Sequence, residues 1–245
     1  MDAIAALKRR FEHVMGEFNA SPALRMLAEG RANLAHYKSI LREIFHYSRE
    51  DPQIQALAAV RFRGADREFV KMFLKHATME IGHDRMALDD LAALGEDVSA
   101  IPSGNPLPST MALIAFPFYQ IEHRDAVGYL GYLYFLEFMP TAHGSRYGEA
   151  LARLGVPAKA MTFLAEHVAV DVAHNKMMEH YLAHLVHDEE GLESVLYALE
   201  VTAQLYAQML WGAIQQAERP RDYGRARAEA VVAAPTATKA ALPVY

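Results

Sequence analysis

The chain has 245 residues, of which 52% are hydrophobic and 22% are charged, as expected for a globular protein with a sizeable core. The formal net charge is -6 and both signs are scattered along the chain, which argues against a nucleic-acid-binding surface. The chain contains no cysteine. Disulfides, thiolate metal sites and a cysteine nucleophile are therefore excluded.

The N-terminal stretch and the longest apolar run both argue against a membrane protein. The stretch MDAIAALKRRFEHV reads as the start of an amphipathic helix, and no uninterrupted apolar segment of a signal peptide follows its charges. The apolar run over residues 127–139 is too short to cross a bilayer, which takes about 20 residues. We therefore expect a cytoplasmic protein.

Helical spacing of apolar residues, in steps of three and four, dominates the whole chain. Ser21-Pro22 and Asp51-Pro52 have the composition of an N-cap followed by the first helical residue. No alternating pattern predicts a strand, so the predicted fold class is all-α. The predicted helices, in chain order, cover residues 3–17, 22–29, 31–49, 52–62, 66–94, 110–123, 126–139, 142–154, 158–187 and 189–217.

Two irregular stretches divide this pattern. Residues 96–108 form a proline-rich connection between an earlier and a later group of helices. The segment 219–245 is rich in Ala and Pro and has no periodicity, which predicts disorder. The sequence thus indicates a single helical domain over residues 1–218 with a disordered tail.

The polar pattern HATMEIGHDRM at residues 76–86 is repeated as HVAVDVAHNKM at residues 167–177. Each copy places a histidine, an acid and a second histidine at positions i, i+4 and i+7, which share an arc of about 60° on a helix. The two sets of side chains are His76, Glu80 and His83, and His167, Asp171 and His174.

The apolar residues that flank both patterns indicate that these helices are largely buried. Buried ionisable groups are costly unless they are paired or bind a metal. One such pattern alone could be a salt-bridge arrangement on a helix surface, but two of them favour a metal site. Imidazole with carboxylate, without any sulfur ligand, suits iron or manganese.

Two further acids are candidate ligands. Glu137 stands alone in the apolar run VGYLGYLYFLEFM and needs a partner there, whereas Glu122 is a weaker rival in the polar segment YQIEHRD. Glu43 lies between Leu41 and Ile44 and could point towards the core or towards solvent.

These residues resemble the heme-oxygenase-like diiron oxidases, a helical superfamily that includes heme oxygenase, the TenA thiaminases and the PqqC oxidase. The resemblance covers about residues 20–217 and implies a heme-oxygenase-like helical bundle. Its most specific element is HxxxDxxH on a late helix, followed by the early histidine in GHD and a lone Glu on the helix between them. The ligands that the resemblance implies for two irons are His83, Glu137, His167, Asp171 and His174.

The early carboxylate is left open by the resemblance. Some members carry a Glu three residues before the early histidine, which Glu80 matches, whereas others carry it seven residues before, where this chain has His76. Either Glu80 supplies this ligand or His76 is a ligand and the site is richer in nitrogen. Some members recruit a further Glu from a preceding helix, and Glu43 is the candidate.

The resemblance implies an enzyme in which two irons activate O2 as co-substrate to oxidise a small organic molecule. Outcomes in the family include N-oxygenation of amines or amino acids, oxidative C–C cleavage and desaturation. No nucleic-acid or membrane partner is expected, and both a homodimer and an external electron donor remain open.

Several alternatives remain at this stage. A ferritin-like bundle is also helical and builds diiron sites from carboxylates and histidines. The PqqC-type enzymes oxidise without a metal, and a storage or scaffold protein would not be an enzyme. Heme oxygenase holds heme through a histidine near its N-terminus, where this chain has His13, but that assignment leaves the two later polar patterns unexplained.

Overall fold

A computed structural model of the chain describes residues 2–221, except for the side chains of residues 170–174. The described residues form α-helices, three short 3-10 turns and one π turn, and they contain no strand. The helices are α1 (Ala3–Asn19), α2 (Pro22–Ala28), α3 (Leu34–Ser48), α4 (Asp51–Ala59), α5 (Phe69–Glu80), α6 (His83–Ala93), α7 (Pro108–Tyr119), α8 (Tyr129–Arg153), α9 (Thr162–Leu185) and α10 (Glu189–Glu218).

The long helices α8, α9 and α10 form the centre of the bundle. Helix α8 packs along α9 on one side and along α10 on the other, while α10 also packs on α3, α7 and α1. Helix α6 lies on α3, and α4 pairs with α5. The apolar sides of these helices enclose one core that includes fully buried Tyr129, Phe135 and Leu130 from α8. The all-α prediction is therefore confirmed.

The close contact between α8 and α10 depends on Gly131. A Cβ atom at this position would lie 2.0 Å from the carbonyl oxygen of Val195 and 2.7 Å from the amide nitrogen of Leu199. Both atoms belong to the backbone of α10, which cannot move aside as a flexible side chain can. The missing side chain of Gly131 therefore sets the distance between the two helices.

The prediction of one continuous helix over 66–94 is wrong, because this segment contains the two helices α5 and α6. Helix α5 ends at Glu80, Ile81 is extended, and Gly82 has a left-handed φ of 105° before α6 begins at His83. Glycine adopts this conformation without a steric penalty. The spacing had predicted that His76, Glu80 and His83 share one helical face. His83 instead lies on a separate helix.

The opposite error occurs at Pro140, where two predicted helices over 126–139 and 142–154 are one. Pro140 lacks the N–H that would bond to the carbonyl of Leu136, yet α8 continues past it. The hydroxyl of Thr141 donates to the carbonyl of Glu137 at 2.8 Å and accepts from the Asn175 amide of α9 at 3.1 Å. Packing on α9 and α10 along its whole length stabilises the uninterrupted helix.

Within the described residues, no helix is both long and apolar enough to cross a membrane. The single domain over 1–218 stays a prediction, and most of the predicted tail, residues 222–245, lies outside the described residues.

We expect Gly131→Ala to destabilise the protein by about 1–3 kcal/mol, because the added methyl group forces α8 away from α10. Gly148 of α8 is the matched control, since its nearest contact for a Cβ is 3.8 Å away on Leu164. Gly148→Ala should stabilise the protein by about 0.5–1 kcal/mol through its higher helix propensity. Urea unfolding of the three proteins measures both changes, and equal stabilities would contradict the close packing.

Candidate metal centre

Two groups of potential metal ligands meet in the core and share one carboxylate. The first group contains His76, Glu80 and Glu137, and the second contains Glu80, His83 and His167. Within each group the ligand atoms lie within 4.8 Å of one another. The donors come from α5, α6, α8 and α9, which are distant in sequence. The two alternatives for the early ligand are therefore not exclusive, because His76 and Glu80 both lie in the cluster.

The break between α5 and α6 places Glu80 between two histidines. One oxygen, Oε1, lies 3.4 Å from Nε2 of His76, one turn earlier on α5. The other oxygen, Oε2, lies 2.8 Å from Nδ1 of His83, within ion-pair distance. The left-handed Gly82 turns the chain so that His83 approaches Glu80 from the far side. The carboxylate thus presents its two oxygens to different imidazoles.

Glu137 completes the first group from the middle of α8. Its Oε1 lies 3.0 Å from Nε2 of His76, and its side chain is almost entirely buried. Leu133, one turn earlier, and Pro140 line the same cavity as Glu137. A carboxylate in such apolar surroundings is costly without cationic partners. This is the lone acid that the sequence had indicated in the apolar run.

His167 on α9 is held in the form that a metal requires. Its Nδ1 donates to the carbonyl oxygen of Phe163 at 2.7 Å. The ring centroids of Phe163 and His167 are 4.1 Å apart. The other nitrogen, Nε2, is therefore the unprotonated one in the neutral ring, as is usual for metal-binding histidines. Burial and the neighbouring His83 hold the pKa of His167 below its ordinary value, which keeps the ring neutral.

The carboxylates of the cluster raise the pKa values of His76 and His83. Burial opposes the charged form of His76, but its hydrogen bonds to Glu137 and Glu80 outweigh this and raise its pKa to about 9. Burial acts against ionised Glu80, yet His76 and His83 hold the pKa of this carboxyl well below its usual range. The hydrogen bond to Glu80 raises the pKa of His83. Metal binding would replace these protons, since imidazole ligands must be neutral.

Asp51 is an acid near the centre that the sequence analysis missed. Asp51-Pro52 was interpreted as an N-cap pair, but Glu50 is the N-cap residue, and Asp51 is the first residue of α4. Its side chain instead accepts from the Tyr132 hydroxyl at 3.1 Å and lines the same cavity as Glu80 and Glu137. Burial, together with the charge of Glu80, raises the pKa of Asp51 well above its usual range. Only the packing of α4 on α5 could have shown this position.

Glu43 is not part of either group of described residues, and its assignment as a metal ligand stays a prediction. Its buried carboxylate accepts from the backbone N–H of Leu107 at 3.0 Å and from the Thr110 hydroxyl. Leu107 is the N-cap residue of α7. Glu43 therefore provides a hydrogen-bond acceptor for a backbone N–H that has no partner within the helix. The carboxylate therefore points towards the core, which is one of the two directions that the sequence left open.

Two other sequence candidates have clear positions. Glu122 is exposed and forms a salt bridge with Arg61, so it does not compete with Glu137. His13 is exposed beside Glu17, where it cannot hold a buried heme. The side chains of Asp171 and His174 lie outside the described residues, so their assignment as ligands stays a prediction.

An apolar cavity connects the cluster with the protein surface. The space open to the centre of a water molecule in this cavity is about 160 Å³. Glu80, Glu137 and His167 line its inner end, and exposed Asn33, between α2 and α3, lines its outer end. Tyr129 of α8 also lines the cavity, whereas Tyr119 at the end of α7 is exposed.

The arrangement of helices is that of the heme-oxygenase-like fold. A domain of unknown function with this fold from Shewanella denitrificans has a TM-score of 0.82 and 25% sequence identity, covering 89% of this chain and 96% of that one. A TenA homologue from Pyrococcus furiosus has a TM-score of 0.70 and 14% identity, covering 86% of this chain and 99% of that one. A TenA homologue from Pseudomonas syringae also has a TM-score of 0.70, with 12% identity over 87% of this chain and 93% of that one.

The sequence itself matches the model of a family described as iron-containing redox enzymes, over residues 38–207. The chain therefore belongs to this family, and the predicted resemblance is confirmed. The description of the family supports an oxidoreductase. No curated protein matches the chain significantly.

We expect the metal-free protein to lose stability as the pH rises from about 7 to 9. The pKa of His76 is raised to about 9 in the folded protein, above the 6.5 of the unfolded chain. Its stabilising contribution is therefore fully present below 6.5 and is lost as the pH passes through about 9. Denaturant unfolding at a series of pH values should show a smaller decrease for His76→Gln, whereas exposed His184→Gln should behave as the wild type. A pH-independent wild type would contradict the paired, protonated His76.

Proposed function

We propose that the cluster binds two irons and that the protein uses them with O2 to oxidise a small organic substrate. The observation that carries this proposal is the position of Glu80, which belongs to both ligand groups and directs one oxygen towards each. A single metal site would not need two groups with a common carboxylate. The donors are imidazole nitrogens and carboxylate oxygens, which suit iron.

In this assignment, His76 and Glu137 would hold one ion, His83 and His167 would hold the other, and Glu80 would contribute to both groups. Asp171 and His174, as the resemblance implies, would add further ligands. The bound irons supply the activation of O2 and accept or deliver electrons, which no amino-acid side chain in the cavity can do alone.

The protein's own residues position the metal ligands and control water and protons. The Phe163 carbonyl orients His167 and fixes its tautomer. Leu133 and Pro140, beside Glu137, limit the access of water to the reactive end of the cavity. The Asp51 carboxyl reaches the same end, where burial and the charge of Glu80 raise its pKa.

The rival functions account for less of the structure. A storage or scaffold protein has no need for an apolar cavity that leads from the surface to the cluster. A PqqC-like, metal-independent oxidase has no need for two groups of convergent ligands. The cysteine on which TenA-type thiaminases depend is absent from this chain.

Iron binding tests the shared role of Glu80. The wild type should bind about two irons per chain under anaerobic loading, as diiron carboxylate proteins do. Glu137→Ala and His83→Ala should each weaken one position, whereas Glu80→Ala should weaken both and lose the most iron. Iron content after gel filtration measures this, with exposed His184→Ala on α9 as the control. Two tightly bound irons in the double variant Glu137→Ala/His83→Ala would contradict the assignment.

Oxygen consumption tests the reaction. The iron(II)-loaded wild type should consume O2 and convert a suitable amine, amino acid or fatty-acid substrate, detected with an oxygen electrode and mass spectrometry. Glu137→Ala should reduce the rate by about 10–100-fold, the usual loss when a metal site is disturbed. A storage protein would instead oxidise many irons per chain without an organic product. A scaffold would consume no O2.

A further inference from the structure

The cavity has walls suited to one kind of molecule. Between its outer end at Asn33 and the cluster it is lined mainly by aliphatic side chains, such as Ile40 and Ile44 of α3 and Leu133 of α8. No lysine or arginine is among the described residues that line it. A ligand that fills this space must bury an apolar body, and along the walls away from the cluster it finds no lysine or arginine to pair with an anionic group.

One polar side chain in this wall has no assigned role. Gln55 lies on α4, one turn after Asp51, and its side chain is completely buried. Neither Oε1 nor Nε2 has a hydrogen-bond partner among the described residues. An amide buried in this way costs about 1–3 kcal/mol. The last torsion of glutamine has a broad energy profile, so the amide can turn towards the cavity at little cost.

The amide of Gln55 selects the head group of a ligand by its hydrogen-bonding pattern. It offers N–H donors and one carbonyl acceptor, so only a group that both donates and accepts satisfies both atoms. A carboxylate accepts only and leaves Oε1 unpaired, whereas an ammonium donates only and leaves Nε2 unpaired. A neutral carboxamide or hydroxyl group satisfies both.

The size of the cavity limits the rest of the molecule. One water-sized group takes about 10–15 Å³ of such space, so 160 Å³ has room for on the order of ten heavy atoms. The cavity extends along one face of α3, since lining residues follow one another at helical spacing from Asn33 to Tyr47. Its small volume is spread over this length, so its shape is elongated. An unbranched chain fits this shape better than a ring system.

We propose that the cavity binds a neutral, medium-length alkyl compound, with its hydrogen-bonding head group on the amide of Gln55 beside the metal cluster and its chain towards Asn33. This inference names the substrate class of the proposed oxidase and rests on that function for the statement that the ligand is a substrate. Gln55 is then a specificity-determining residue. Its unsatisfied amide lowers the stability of the ligand-free protein and is available to bind the head group.

Binding to the metal-free, full-length protein tests the proposal independently of iron. Calorimetric titration compares decanamide with decanoate and decylamine, and hexanamide with octanamide and decanamide. Decanamide should bind at least about tenfold more tightly than the two charged compounds, and each added methylene should improve affinity by about fourfold. Tighter binding of decanoate or decylamine would overturn the neutral head group, and an affinity that does not grow with chain length would overturn the alkyl chain.

Two variants locate the two ends of the ligand. Gln55→Leu should weaken decanamide binding by about tenfold and bring the three decyl compounds within about twofold of one another. Ile40→Trp narrows the middle of the cavity, so it should weaken decanamide while leaving hexanamide within about twofold of the wild type. Unchanged decanamide affinity in both variants would place the ligand elsewhere.

The stability of Gln55→Leu separates a binding role from a structural one. Replacing an unpaired buried amide by an apolar group of similar size is neutral or stabilising. The melting temperature of ligand-free Gln55→Leu should therefore equal or exceed that of the wild type. A clear decrease would mean that Gln55 supports the fold, and it would overturn its role as a head-group ligand. Iron uptake by the same variants shows whether a failure affects this inference alone or also the diiron assignment.

Discussion

The carboxylate of Glu80 lies between His76 and His83 in the interior of the bundle, and most other features of the site follow from its need for positive partners. An isolated buried carboxylate is strongly disfavoured, so each of its oxygens must face a cation or a hydrogen-bond donor. His76 meets this need in the metal-free protein, because its interactions with Glu137 and Glu80 outweigh burial and raise its pKa to about 9. Glu137 uses the same His76, so the charges of the cluster depend on one another.

The helical framework serves this arrangement by bringing distant segments close together. Gly131 allows α8 to lie directly against α10, and α8 carries Glu137 into the core at the level of His76. Asn175 of α9 bonds to Thr141 of α8 and joins the two helices next to the proline of α8. The cluster is thus held by backbone contacts and interhelical hydrogen bonds that lie outside it.

Much of this was readable from the sequence, and the failures have physical causes. Periodicity predicted the all-α fold, and an acid alone in an apolar run identified Glu137, because both signals are local. The broken helix at Gly82 was missed, since glycine within a helical pattern is common and its φ depends on the surroundings. The contacts of Glu43 with α7 and the position of Asp51 near the cluster were missed for the same reason. The sequence does not show which neighbour a carboxylate meets, because tertiary packing decides it.

The left-handed turn at Gly82 divides one continuous sequence motif between helices α5 and α6. Helix α5 packs chiefly on α4, whereas α6 packs on α3 and α9, so Glu80 and His83 move with different parts of the bundle. Ions bound by both would act as a cross-link over this joint. In the metal-free protein the ion pair between Glu80 and His83 spans the same joint. The two helices are therefore linked through side chains at the point where the helical backbone is interrupted.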